Sequence, residues 1–176
     1  LVTGSADCGG LVSYNYISGE PVTGLAEGRP MFIRSANDKF NLANFMRAHL
    51  YASVAVLKLG NDILFKEENV KVDRITGHGG LFKTKGVGQR VLAAALNSPI
   101  SVMETAGEGG AWGIALLAAY AVRNPKKLNL ADWLEEVVFA GNTGVEIAPT
   151  AEDVEGFNKY IENYKADTSR SEERRV

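Results

Sequence analysis

Val70-Lys71-Val72-Asp73-Arg74-Ile75-Thr76-Gly77-His78-Gly79-Gly80 is the stretch from which the fold is read. Val70, Val72 and Ile75 predict a strand that runs into the loop Gly77-His78-Gly79-Gly80. Val87, Val91, Leu92 and Ala95 then recur on one helical face. Ile100 and Val102 predict a second strand, with Pro99 tolerated at its start. A second glycine loop, Gly107 to Gly110, opens another helix with Ala111, Ile114, Ala115 and Ala118 expected inward. Asn124-Pro125 stops that helix. Strand-helix-strand alternation implies an α/β fold with at least one crossover in a mixed sheet.

Outward from this centre, helices dominate. Leu42, Phe45, Met46, His49, Leu50, Val54 and Leu57 form an apolar stripe expected to pack on a sheet, with Asn41 as cap and Gly60 as terminator. Leu130, Trp133, Leu134, Val137 and Val138 predict a further helix capped by Asn129. Val154, Phe157, Ile161 and Tyr164 mark the last, with Thr150 as cap and Asp153 reaching back as its acidic partner. Residues 168–176 carry Ser, Arg and Glu and are expected to be a flexible tail. Residues 1–37 fit either a strand, through Val12, Tyr14 and Tyr16, or a short helical face, through Leu11, Tyr14 and Ile17.

Composition excludes several classes. The 176 residues are 45% hydrophobic and 23% charged, which is ordinary for a globular domain and not for a disordered chain. The formal net charge of -2 offers no electrostatic footprint for nucleic acid. The apolar run Gly113 to Val122 is too short to span a bilayer. One cysteine, Cys8, forms no internal disulfide, and two histidines make no zinc set. The chain opens with Leu1 rather than Met, so it is expected to be a processed product or an excised piece.

Glycine is the anomaly. There are 19, above the ordinary usage of about 7%. Eleven cluster at Gly9-Gly10, at Gly77 to Gly88 and at Gly107 to Gly113. No GK[ST], GxSxG or HExxH occurs, and the first loop lacks the third glycine of the dinucleotide fingerprint. What remains is a repeated arrangement in which a strand ends in a glycine loop that feeds a helix. Such loops favour anions through open backbone N–H groups. Lys83 and Lys85 follow the first loop and add positive charge, while Gly79 and Gly80 let a flat base lie against the backbone. The alternative is that both loops are plain tight turns.

The order of these segments resembles the C-terminal domain of the FGGY family of carbohydrate kinases, which includes xylulokinases, ribulokinases and glycerol kinases. Thr76 to Thr84 followed by Gln89 to Asn97 resembles the family's adenosine motif. Glu108 to Ala119 resembles the Gly-Ala-Ala-rich helix that follows it, and Phe40 to Val56 places His49-Leu50 like the family's histidine-leucine pair. The likeness is good over residues 38 to 123. It departs at Ala94, where the family often has Asp, near Val56, where an acidic residue is usual, and in a segment after Gly80 that is a residue or two longer than in xylulokinases.

The resemblance implies an RNase H-like, actin-like ATPase lobe with a mixed sheet flanked by helices, taken as one lobe over residues 1–167. It implies ATP and Mg²⁺ as cofactors and transfer of the γ-phosphate to a hydroxyl of a ketose, such as xylulose or ribulose, or of a polyol. Gly79 and Gly80 would line the adenosine pocket, with Gly77, His78, Leu81, Lys83 and Thr84 around it and Gly9 and Gly10 near the phosphates. The catalytic aspartate and most of the sugar site belong to an N-terminal lobe, so this chain holds no catalytic residue and no metal ligand and is expected to be inactive alone. Partners are that lobe, ATP or ADP and the sugar. A homodimer is left open, neither nucleic acid nor membrane is involved, and the compartment is cytoplasmic. The rival reading is a non-catalytic, kinase-like module for oligomerisation or ligand sensing. Outside the loops, His49 reads as a satisfied, partly buried histidine, Cys8 as a small buried filler, and His78 as either a nucleotide contact or an exposed loop residue.

Overall fold

The computed structural model describes residues 3–72, 74–104, 106–141 and 144–173. The chain divides into two compact units. The first comprises residues 1–72, 91–98 and 149–176, and the second residues 73–90 and 99–148.

In the first unit, strand β1 (Val12–Tyr14) pairs antiparallel with β2 (Met31–Ile33), Ser13 lying opposite Phe32. The strand alternative for the N-terminal section therefore holds over these three residues. Helix α1 (Leu42–Asp62) starts where Asn41 accepts a hydrogen bond from the Asn44 N–H at 2.9 Å. It does not stop at Gly60. Lys58 and Lys66 both reach Asp62, at 2.6 and 3.2 Å, and one π turn carries the coil on to Glu67.

The face that α1 buries only partly follows the apolar stripe read from the sequence: Val54 is buried and Phe45, His49 and Leu50 are partly buried, but Leu42, Met46 and Leu57 are not. Asn44, Arg47, Ala48, Tyr51, Ala52, Val54 and Ala55 are buried, while Leu42 is 75% exposed and Met46 and Leu57 are about half exposed. The departure has a physical cause. This core is built from tyrosines and small residues around satisfied polar groups, so arginine and asparagine mark its inner side. Arg47 donates to Asp153 Oδ1 at 2.6 Å, to the Gly4 carbonyl at 2.8 Å and to the Tyr51 hydroxyl at 3.1 Å. Tyr51, Phe157 and Tyr160 pack ring against ring, with Tyr14 and Tyr164 continuing the cluster. The Tyr160 hydroxyl lies 3.3 Å from the carbonyls of Ser13 and Ala48, and the Tyr14 hydroxyl donates to the Tyr164 carbonyl. Burial pushes the Tyr51 hydroxyl up to about 12 and the Cys8 thiol well above its usual range. His49 accepts or donates through Nδ1 to Ser13 Oγ at 2.9 Å and is partly buried, as expected.

Helix α5 (Ala151–Glu173) is capped by Thr150, whose Oγ1 accepts from the Asp153 N–H at 3.2 Å. The helix runs through residue 173, and residues 174–176 of the expected tail lie outside the described residues. A Cβ on Gly156 would collide with the Ala6 backbone, so α5 and the N-terminal segment approach closely at that glycine.

In the second unit, β3 (Ile75–Gly77) is parallel to β4 (Ile100–Val102), and β4 is antiparallel to β5 (Val145–Ile147). The sheet is mixed, as the sequence implied. Val70 and Val72 do not join β3: both are about half exposed and outside the ladder. Strand β5 had no strand signal strong enough to be read. Helix α2 (Val87–Leu96) follows the first loop; its residues up to Arg90 belong to this unit, while the buried Val91 to Ala95 belong to the first. Helix α3 (Gly109–Val122) follows the second loop. It buries none of its residues, and Ala111, Ile114, Ala115 and Ala118, expected inward, are all exposed, Ile114 by 69%. An apolar helix with no polar face carries no periodicity from which to tell inside from outside. Asn129 caps a last short helix, α4 (Leu130–Trp133), through the Asp132 N–H at 2.9 Å, and a π turn over Leu134–Val138 extends it.

Replacing Arg47 by Met leaves the Asp153 carboxylate buried without its counter-charge, and unfolding free energy is expected to fall by about 3–5 kcal/mol. Urea denaturation measures this; a loss below about 1 kcal/mol would show that the pair does not hold α1 to the start of α5.

Candidate functional site

The second unit brings the two glycine loops together. After β3, Gly79 adopts φ +100°, a conformation that side-chain-bearing residues avoid. Gly80–Phe82 forms one 3₁₀ turn, and α2 begins at Val87. After β4, a second 3₁₀ turn over Ala106–Glu108 leads into α3 at Gly109.

The glycines of this region fall into two groups. A Cβ on Gly77 would strike the Phe82 ring, and one on Gly88 would lie 2.7 Å from the Leu81 carbonyl oxygen. Gly109 packs on His78, whose Nδ1 is 3.2 Å from where a Cβ would stand, and Gly107 packs on the Lys83 stem at 3.3 Å. These four are glycines because the protein fills the space beside them. Gly79, Gly80, Gly110 and Gly113 are different: a Cβ on any of them would meet no atom within 4 Å. They present bare backbone to open space, which is what a planar group needs for close approach.

Two residues fix this arrangement. Gln89, buried in the first turn of α2, donates through Nε2 to the Ile100 carbonyl at 3.0 Å and to the Val145 carbonyl at 2.7 Å. One amide thereby ties the helix after the first loop to β4 and β5. Lys83 Nζ lies 2.7 Å from Glu108 Oε1, an ion pair that bridges the two loops. The hydrogen bond from Lys83 and its charge hold the Glu108 carboxyl below the usual range. A cleft of about 500 Å³ adjoins His78, lined also by Thr76, Met103, Leu134 and Phe139.

The expected site residues thus separate. Gly77, His78, Gly79, Gly80, Leu81, Lys83 and Thr84 lie together in the second unit. Gly9 and Gly10 lie in the first, where a Cβ on either would collide with Asn44 or Asp38, and where the Gly9 N–H donates to Asp7 Oδ1 at 2.9 Å. Glu108, Gly110 and Gln89 were not among the residues singled out. The second glycine cluster was a usable signal for the first two; Gln89 opens the second half of the adenosine-motif resemblance, but nothing in the sequence marks its amide as a tie to two strands. Among the described residues no group of three or more His, Cys, Asp or Glu side chains forms a metal-binding cluster. No helix among them is long and apolar enough to cross a membrane.

The family model for the C-terminal domain of the FGGY family of carbohydrate kinases matches residues 2–122. The chain belongs to that family. The match takes in both glycine loops and also the N-terminal section that the residue pattern alone left open. The crystal structure of xylulose kinase from Rhodospirillum rubrum shares the FGGY chain's fold, with a TM-score of 0.61 at 18% identity. That likeness covers 96% of this chain and 31% of the xylulose kinase chain, so the FGGY domain described here spans about a third of that protein. No curated protein matches the chain significantly.

Gln89→Leu removes the donor from two carbonyls at once, and the FGGY domain is expected to lose about 1–3 kcal/mol of stability. Thermal unfolding of the variant beside the parent checks this; an unchanged midpoint would mean that the β4 and β5 carbonyls are satisfied without it.

Proposed function

We propose that this domain is the nucleotide-binding part of a two-lobe kinase that moves the ATP γ-phosphate to a sugar hydroxyl. The observation that carries the proposal is the bare surface at Gly79 and Gly80, set between two loops that a single ion pair joins. The adenosine group lies against this shelf, with His78 and Leu81 adjoining it in the chain, and His78 also borders a cleft lined by the apolar side chains Met103, Leu134 and Phe139. Gly77 and Thr84 act through the loop: the Phe82 ring under Gly77 sets the turn, and Thr84 leads into α2. Gly9 and Gly10 keep a role near the phosphates only in this reading; their neighbours Asn44 and Asp38 support a packing role for them.

The acceptor is a ketose, such as xylulose or ribulose, or a polyol. Mg²⁺ arrives with the nucleotide, since the described side chains offer no cage of their own. The attacking hydroxyl needs a base, and the N-terminal lobe of the family supplies both that aspartate and the sugar site. This chain alone therefore turns over no sugar. The compartment that suits such a reaction is the cytoplasm, where ATP is available.

Calorimetric titration of the chain with Mg·ADP, beside Gly80→Val, tests the reading. Saturable binding by the parent and at least about tenfold weaker binding by the variant is the expected result, because the added side chain occupies the shelf. Equal affinity in the two proteins would place the adenosine group elsewhere. The open surroundings of Gly80 make the same unfolding midpoint expected for both, which separates a blocked site from a damaged fold.

A further inference from the structure

Lys83 was read from the sequence as free positive charge beside the first loop, and the structure shows it already engaged. Its stem lies across Gly107 and its ammonium meets the Glu108 carboxylate at 2.7 Å. Both side chains are exposed, by 58% and 75%, so neither is held by burial and the pair exchanges readily with solvent ions. Glu108 precedes α3 directly, at the position where a side chain usually caps the helix, yet it makes no capping hydrogen bond. Its carboxylate is turned to the lysine of the other loop instead.

A carboxylate and a phosphate are interchangeable partners for an ammonium group. We propose that Glu108 is a positioning residue that occupies Lys83 in the empty domain and gives it up when nucleotide phosphate reaches the loops. The pair then sets how strongly the site prefers a phosphorylated nucleotide over the bare nucleoside. The inference rests on the adenosine shelf proposed above. It adds the statement that the shelf's own charge is spent internally until a stronger anion displaces Glu108.

The test compares adenosine with ADP, both without metal, on the parent chain, on Glu108→Gln, on Lys83→Ala and on the double variant. Both positions are solvent-exposed, so all four proteins are expected to unfold at similar temperatures. Releasing Lys83 in Glu108→Gln should tighten ADP binding about twofold to fivefold, the range open to an exposed charge pair, and leave adenosine unchanged. In the Lys83→Ala background the same Glu108 substitution should give little gain, because no ammonium remains to be freed. The gain should also shrink in high salt.

Each other outcome overturns the proposal in its own way. An equal gain with and without Lys83 would make Glu108 a plain repulsive charge and not a competitor. An equal gain for adenosine and ADP would make it a shaper of the shelf. Adenosine bound while none of the variants alters the ADP preference would refute the exchange and leave the shelf standing. Failure of the parent chain to bind adenosine at all would remove the shelf, and the exchange with it.

Discussion

The first unit depends on one buried ion pair. Arg47 comes from α1 and Asp153 from the first turn of α5, 106 positions later in the chain, and they meet at 2.6 Å with almost no solvent access. Desolvating two such charges is unfavourable unless their remaining hydrogen-bonding capacity is met. Here it is met on both sides: Arg47 also donates to Tyr51 and to the Gly4 carbonyl, and the second Asp153 oxygen lies 2.9 Å from the Thr150 hydroxyl. One cluster therefore fixes the helix that the N-terminal strands pack on, the start of the C-terminal helix and the entry of the chain. The tyrosine rings fill the volume around it and place their hydroxyls on backbone carbonyls, so that polar contacts and apolar area come from the same side chains.

The second unit follows a different logic. Its sheet is three short strands, and much of its helix surface is exposed, so its shape is held by specific ties more than by a deep core. Gln89 joins α2 to two strands, Phe82 sits under Gly77, and His78 and the Lys83 stem rest on Gly109 and Gly107. The last two contacts hold one glycine loop against the other. The glycines left without such a contact are then the informative ones, because no internal packing explains the missing side chain. Counting glycines in the sequence locates the loops, but only the packing beside each separates Gly79 and Gly80 from Gly77 and Gly88.

What was legible in the sequence was local and chemically specific. Asn41, Asn129 and Thr150 each cap the helix they were expected to cap, because a short acceptor side chain before an apolar run has few other uses. The loop–helix units after β3 and β4 were equally plain, and the segment order carried the family. What failed was the choice of face. Leu42 and Met46 were expected inside and Arg47 had no place on the stripe, since a pattern reading scores an arginine by its charge and cannot see Asp153 waiting in space. On α3 the reading failed for the opposite reason: with Ala, Ile and Leu on every side, no face stands out. Strand β5 was missed because Val145-Glu146-Ile147 is three residues long, and Glu146 is explained only by Ser101, whose hydroxyl lies 3.2 Å away on β4.

The division between these two kinds of residue also bears on what the domain can contribute to phosphoryl transfer. A bare glycine surface admits a flat group and rejects nothing by charge, so it gives access and little affinity. Strong discrimination in phosphoryl transfer comes from cations aimed at the moving phosphate and from a base on the acceptor hydroxyl. Lys83 is a cation of the first glycine loop, and Glu108 neutralises it in the resting domain. The described side chains gather no acidic cluster for a metal. A surface of this kind suits a receptor for the unreactive end of the nucleotide. In the two-lobe kinase proposed above, it would leave the reacting end to groups brought by the other lobe. On that reading the exposed, exchangeable Lys83–Glu108 pair is in keeping with the rest of the site: the lysine of the first loop is neutralised until a nucleotide phosphate displaces its partner.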